Sequence, residues 1–124
     1  MVAYILEIEY SSIVPSPLRA YKASVFQALA HPTRIAIVEI LRDGPLSARA
    51  MQERLGVEQA NLSQHLAILR GKQIVVNRKE GNQVFYSLAS PLLTDVLDLM
   101  RRFCRANLND AIQMLDEVNR ENPA

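Results

Sequence analysis

The run Gln59-Ala60-Asn61-Leu62-Ser63-Gln64-His65 gathers carboxamide, hydroxyl and imidazole side chains within two helical turns. An Asn or Gln amide both donates and accepts in one plane, so it can pair bidentately with adenine. A Ser hydroxyl donates to a phosphate or accepts from a base, and a small Ala lets the backbone approach a thymine methyl. If Leu62, Leu66 and Leu69 form one inward stripe of a helix, then Gln59, Asn61, Ser63 and Gln64 turn outward near its start. An ordinary solvated face would satisfy the same residues. Contact with DNA is favoured by what lies beside them.

The neighbouring charge is basic. Residues 59–83 hold Arg70, Lys72, Arg78 and Lys79 against Glu80 alone, a local +3, although the whole chain of 124 residues carries only +1. The tip Arg78-Lys79-Glu80-Gly81-Asn82-Gln83 lies between two β-rich runs, Ile74 to Val76 and Val84 to Tyr86, and reads as a hairpin. Its cations can lie along phosphates or enter a narrow minor groove, while Arg70 and Lys72 at the junction would add backbone affinity rather than sequence choice. Glu80 opposes this and is expected to point away or pair with a cation.

Elements that could hold these residues are signalled along the chain. Val2, Tyr4, Leu6, Ile8 and Tyr10 alternate as in a strand, so residues 1–14 read as an N-terminal extension. Ser16-Pro17 and His31-Pro32 are helix starts, a cap followed by proline at the first helical position. They open a first helix over about 17–29 and a second that Asp43-Gly44 stops. Ser47 caps a third helix that ends at Gly56, and a fourth begins near Gln59 and ends at Arg70-Gly71. Two helices joined by a tight Gly-containing turn are the device by which DNA-binding proteins present the second helix to the major groove. Pro91 opens a long helix over about 91–119 whose apolar residues cover two faces. One face can dock on the domain, and the other needs a partner, most simply a second copy of the chain.

These residues resemble a known family. Ala28-Leu29-Ala30-His31-Pro32-Thr33-Arg34-Ile35, then Leu62-Ser63-Gln64-His65-Leu66-Ala67-Ile68-Leu69-Arg70, then Arg78-Lys79-Glu80-Gly81-Asn82-Gln83-Val84-Phe85-Tyr86 are similar to the signatures of ArsR/SmtB-family winged helix-turn-helix repressors. The resemblance spans roughly residues 16–120. It implies a mainly α fold of about five helices with a β-hairpin wing, over residues 15–120, followed by a tail at 121–124. It also implies a homodimeric repressor that binds a palindromic double-stranded DNA operator and pairs its terminal helices across a two-fold axis. The DNA-binding set is then Gln59, Ala60, Asn61, Ser63, Gln64, His65, Arg70, Lys72, Arg78, Lys79, Asn82 and Gln83. The dimer interface is Leu92, Val96, Leu99, Met100, Phe103, Cys104, Leu108, Ile112 and Leu115. Glu58 departs from the Ser or Thr often found before the fourth helix in this family. Its charge favours a helix N-terminus but would lie close to phosphates.

Many family members sense metals. The Cys-X-Cys of one family site falls here on Ser47, Ala48 and Arg49, and the second spacing, begun at Asp95, lands on Leu97, Leu108 and Ala111. None of these aligned residues is a thiolate or imidazole, so no metal or other cofactor is expected, and the effector is unknown. His31 is expected to cap or pack, and His65 either to pack or to touch DNA. Cys104 has Arg101, Arg102 and Arg105 nearby; a reactive thiol is one reading and a small hydrophobe at a dimer interface the preferred one. Apolar residues make up 49% and charged residues 22% of the chain, as in a folded globular domain. No apolar stretch approaches the roughly 18 residues of a membrane span, and residues 1–10 carry Glu7 and Glu9 with no basic side chain, so a cytoplasmic protein is expected. Scattered histidines and one Cys, without a Gly-rich phosphate loop, argue against an enzyme. The rival reading is a winged-helix protein-interaction module, which would be indifferent to DNA.

Overall fold

The computed structural model describes residues 16–121, so the alternating run at 2–10 lies outside the described residues. Two compact units follow one another, divided between Ala89 and Ser90.

The first unit opens with α1 (Pro17–Leu29), whose N-cap Ser16 accepts from the Arg19 backbone N–H at 3.0 Å. Helix α2 (Pro32–Ile40) is capped by His31, and the chain then tightens into a 3₁₀ turn over Leu41–Asp43. The α-helical geometry therefore stops three residues short of the Asp43-Gly44 signal. A two-residue strand β1 (Leu46–Ser47) leads into α3 (Ala48–Leu55), capped by Ser47 Oγ accepting from the Ala50 N–H at 3.1 Å. Gly56 ends α3 in the left-handed region at φ 66°, its N–H bonded to the Gln52 carbonyl at 2.8 Å. Helix α4 (Gln59–Gly71) follows after a three-residue turn, Gly56 to Glu58.

The end of α4 departs from the expected glycine stop. Gly71 is helical, and the left-handed residue is Gln73, at φ 56°. The Ile74 N–H bonds to the Leu69 carbonyl and the Gln73 N–H to the Arg70 carbonyl, both at 2.9 Å. These two bonds define a Schellman closure, and its accompanying hydrophobic contact positions, Leu69 and Ile74, are both buried. A residue with a Cβ occupies a position that glycine would fill without steric cost.

Strands β2 (Val75–Glu80) and β3 (Gln83–Leu88) form the expected hairpin, in register from Val75↔Leu88 to Glu80↔Gln83. Gly81 takes φ 61° at the first position of the two-residue turn. Strand β1 adds to the far side of β3 through Leu46↔Tyr86 and Ser47↔Phe85, giving sheet order β1-β3-β2. In β2 only Val75 is buried; the strand beyond it is exposed as a wing. The core comes from every helix of the unit: Ala28 and Leu29, Ile37 and Val38, Leu41, Met51, then Leu62, Leu66 and Leu69, with Ile74 and Val75 where the chain enters β2.

The second unit is one helix, α5 (Leu92–Glu121), of 30 residues. At 1.5 Å per residue it is about 45 Å long. Ser90 Oγ accepts from the Leu92 N–H at 3.2 Å where the helix starts, and Thr94 Oγ1 donates to the Pro91 carbonyl at 2.7 Å. None of its residues is buried.

Candidate nucleic-acid interface

The leucine stripe decides which way α4 faces. Leu62, Leu66 and Leu69 are 1%, 2% and 0% exposed, so the helix turns the opposite arc outward, and Gln59, Ala60, Asn61, Ser63 and Gln64 are all exposed. Glu58 stands at the N-cap with extended backbone but its side chain makes no capping bond.

The start of α4 meets two other elements. Gln59, the wing residues Asn82, Gln83 and Val84, and Ser47, Ala48, Arg49 and Gln52 of the α3 entry line one open recess of about 500 Å³. Carboxamides from α4 and from the wing turn thus line one concavity, with a guanidinium at its α3 side. Arg49 and Gln52 are absent from the set read out of the sequence. Their spacing, one turn apart just after a Ser cap, is a signal that could have found them, because the first helix of a helix-turn-helix pair lies against the DNA backbone. Arg49 is exposed and lies 3.7 Å from Glu53 on the same helix.

On the wing, the pleat sends Arg78 and Glu80 to one face of β2 and Lys79 to the other. Arg78 Nε lies 3.0 Å from Glu80 Oε1, the pairing expected for that carboxylate, and its guanidinium carbon stands 6.0 Å from the centre of the Phe85 ring across the ladder. All four side chains from Arg78 to Gly81's neighbour Asn82 that can carry polarity are exposed. Arg70 and Lys72 are exposed too, but at the other end of α4, about 17 Å along the helix axis from Gln59. Lys72 borders a separate recess of about 370 Å³ between α1 and α4, with Ser24, Gln27, Ala28, Ala67, Ile68 and Gly71. The structure therefore groups Gln59, Asn82 and Gln83, and leaves Arg70 and Lys72 apart from them.

His65 does not join the outward set. Its ring is half-buried, 4.4 Å from that of His31 between centroids, and its Nδ1 lies 3.3 Å from Arg34 Nη1. Partial burial, then the charges of His31 and Arg34, hold its pKa below the ordinary 6.5. His31 caps α2 as expected, its Nδ1 accepting from the Thr33 N–H at 3.1 Å.

Every member of the apolar set on α5 is exposed, from Val96 at 40% to Leu92 at 67%, and Cys104 is a free exposed thiol. Among the described residues no three His, Cys, Asp or Glu side chains are grouped to hold a metal, and no helix is long and apolar enough to cross a membrane.

A family model described as helix-turn-helix domain matches residues 29–76, the segment from the end of α1 to the start of β2. The HTH-type transcriptional regulator Rv0081 of Mycobacterium tuberculosis is 36% identical over 103 residues, 82% of this chain and 90% of the relative. Its crystal structure covers 78% of this chain and 98% of its own, with a TM-score of 0.72 and 37% identity. The transcriptional activator HlyU of Vibrio cholerae is 39% identical over 84 residues, 67% of this chain and 78% of the relative. The homodimeric winged helix-turn-helix DNA-binding domain Mb0332 of Mycobacterium bovis, a possible ArsR-family regulator, aligns over 75% of this chain and 86% of its own, at a TM-score of 0.68 and 25% identity. With its outward polar face on α4, its hairpin wing and a relative 36% identical that it matches over 90% of that relative's length, this chain belongs to the ArsR-type winged helix-turn-helix transcriptional regulators.

Proposed function

We propose that the protein is a homodimeric repressor that reads a palindromic operator with the start of α4. Gln59, Ala60, Asn61, Ser63 and Gln64 face the base edges, Arg78 and Lys79 meet phosphates along the wing, and Arg70 and Lys72 meet the backbone beyond the far end of the helix. The observation that carries this reading is the shared recess, because Gln59, Asn82 and Gln83 line it together. Arg49 and Gln52 then grip the strand that passes between α3 and the wing. His65 supports the helix from behind rather than touching DNA.

A second copy supplies the other reading head. Leu92, Val96, Leu99, Met100, Phe103, Leu108, Ile112 and Leu115, with Cys104 as a small apolar neighbour, form the face of α5 that pairs. Burying such exposed apolar area stabilises association at about 25 cal/mol per Å² before the entropy of association is subtracted.

Selection of bound sequences from a random duplex pool tests the reading. The expected product is an inverted repeat whose half-sites are centred about 34 Å apart. Asn61→Ala and Gln64→Ala should relax the preferred base at one position per half-site by about 1–3 kcal/mol, with the fold unchanged because both residues are exposed. Recovery of unenriched sequence by the unaltered protein overturns the proposal.

A further inference from the structure

Apolar burial has no direction. The three leucines hold α4 to the core, yet they do not by themselves fix its tilt. A directional tie to α2 runs through His65. The Arg34 guanidinium has only donors, so its 3.3 Å contact with His65 Nδ1 requires a lone pair on that nitrogen. The Thr33 N–H makes the same demand of His31 Nδ1. Arg34 is anchored in turn, its Nε donating to the Ala28 carbonyl of α1 at 2.6 Å. The end of α1, the cap of α2 and the reading helix therefore converge on three basic side chains. The groups facing His65 are the His31 ring and the Arg34 guanidinium, both from the α2 side, while α1 presents the neutral Ala28 carbonyl to Arg34.

We propose that His31, Arg34 and His65 form a proton-sensitive latch, in which His31 and Arg34 are positioning residues that hold α4 only while His65 is neutral. This rests on the reading that α4 contacts DNA. A proton taken from solvent onto His65 Nδ1 replaces the accepting lone pair with an N–H aimed at a donor, and it adds a cation beside Arg34. The contact to Arg34 breaks, and the first two turns of α4, Leu62 among them, loosen and fray while Leu66 and Leu69 remain buried. Because His65 binds its proton less readily when docked than when free, docking is at full strength above about pH 6.5, weakens as pH falls from there toward the lower docked value, and changes no further below it. That sign is opposite to bulk electrostatics, in which added positive charge strengthens binding to a polyanion.

Amide hydrogen exchange of the full chain without DNA, corrected for the intrinsic effect of pH, tests the latch between pH 7.5 and 5. Exchange at Leu62 to His65 should rise relative to Leu69 on acidification, following the titration of the His65 ring. His65→Gln keeps an acceptor for Arg34 and cannot titrate, so its profile should be flat. His31→Asn keeps a good cap and removes the ring that packs against His65 and helps to bury it, so its midpoint should move to higher pH. The fluorescein-labelled duplex recovered by selection should bind the unaltered protein more weakly at pH 5.5 than at 7.5, and His65→Gln equally at both. An exchange profile that ignores the His65 titration overturns the latch, and the unaltered protein alone decides this if a variant does not fold. Duplex affinity that rises on acidification overturns its coupling to reading. Titrating exchange in a chain that binds no duplex refutes the DNA reading and upholds the latch.

Discussion

If Arg78 meets phosphate as proposed, Glu80 competes with that phosphate for it, and removing Glu80 should strengthen DNA binding. Glu80 Oε1 lies 3.0 Å from Arg78 Nε, with the two side chains 55% and 61% exposed. At that separation in bulk water the attraction of two unit charges is about 1.4 kcal/mol. Side-chain ordering and salt reduce the net value of such exposed pairs to about 0.2–1 kcal/mol. Glu80→Gln keeps the shape of the side chain while releasing Arg78 and removing a negative charge from the tip. Affinity for duplex DNA should therefore rise by up to about fivefold, the equivalent of about 1 kcal/mol. Arg78→Ala should act in the other direction. One lost phosphate contact lowers the slope of log affinity against log salt by about 0.9, so its penalty should shrink about 3.5-fold between 50 and 200 mM salt.

The assay is fluorescence anisotropy with one labelled duplex, for the unaltered protein, each single variant and the double variant. In the Arg78→Ala background, Glu80→Gln should gain less than it does alone, because there is no guanidinium left to release. Two results would refute the reasoning. One is a Glu80→Gln variant that binds no better at any salt concentration; the other is an Arg78→Ala variant with an unchanged slope, which would place the wing away from the backbone.

Two pairs of backbone and core changes follow from the geometry. Gly56→Ala should cost about 1–2 kcal/mol in urea unfolding from the left-handed conformation alone, since an added Cβ there meets no atom within 4 Å; a loss above about 4 kcal/mol would show a clash that the structure does not contain. Gln73→Gly, which supplies the residue that the Schellman closure favours, should be neutral or stabilising by up to about 1 kcal/mol in the same assay, the removed strain being offset in part by a more flexible unfolded chain. Leu69→Ala, at a fully buried position, should cost about 3–5 kcal/mol. It should also lower duplex affinity, whereas Asn61→Ala should leave the unfolding midpoint unchanged.

What was legible in the sequence is what local chemistry decides. Ser16-Pro17, His31-Pro32 and Ser47 start helices where they stand because a cap bonds an N–H two or three residues along. Gly56 and Gly81 mark turns because their own φ is positive. The outward arc of α4 follows from a period of 3.6 residues and three leucines. Misplaced features are those set by residues distant in sequence or by a choice among close alternatives. Nothing near Gln73 announces a left-handed residue; the two bonds back to Leu69 and Arg70 impose it. His65 looks like one more polar member of its helix until His31 and Arg34, both from outside that helix, lie against it.

The unforeseen two-residue strand β1 is what ties these parts into a site. Two residues lack any detectable alternation, and β1 exists because β3 offers it an edge through Leu46↔Tyr86 and Ser47↔Phe85. Ser47 is also the N-cap of α3. One residue therefore belongs both to the sheet that carries the wing turn and to the helix that carries Arg49 and Gln52. Strand β3 runs from Gln83 at the turn to the Phe85–Tyr86 pairing within four residues, so the wing tip and the start of α3 share a short, hydrogen-bonded frame. Gly56 then turns the chain within three residues from α3 to Gln59. The recess has all its walls on that frame, and for this reason polar residues from three elements face one space without a buried salt bridge to draw them together.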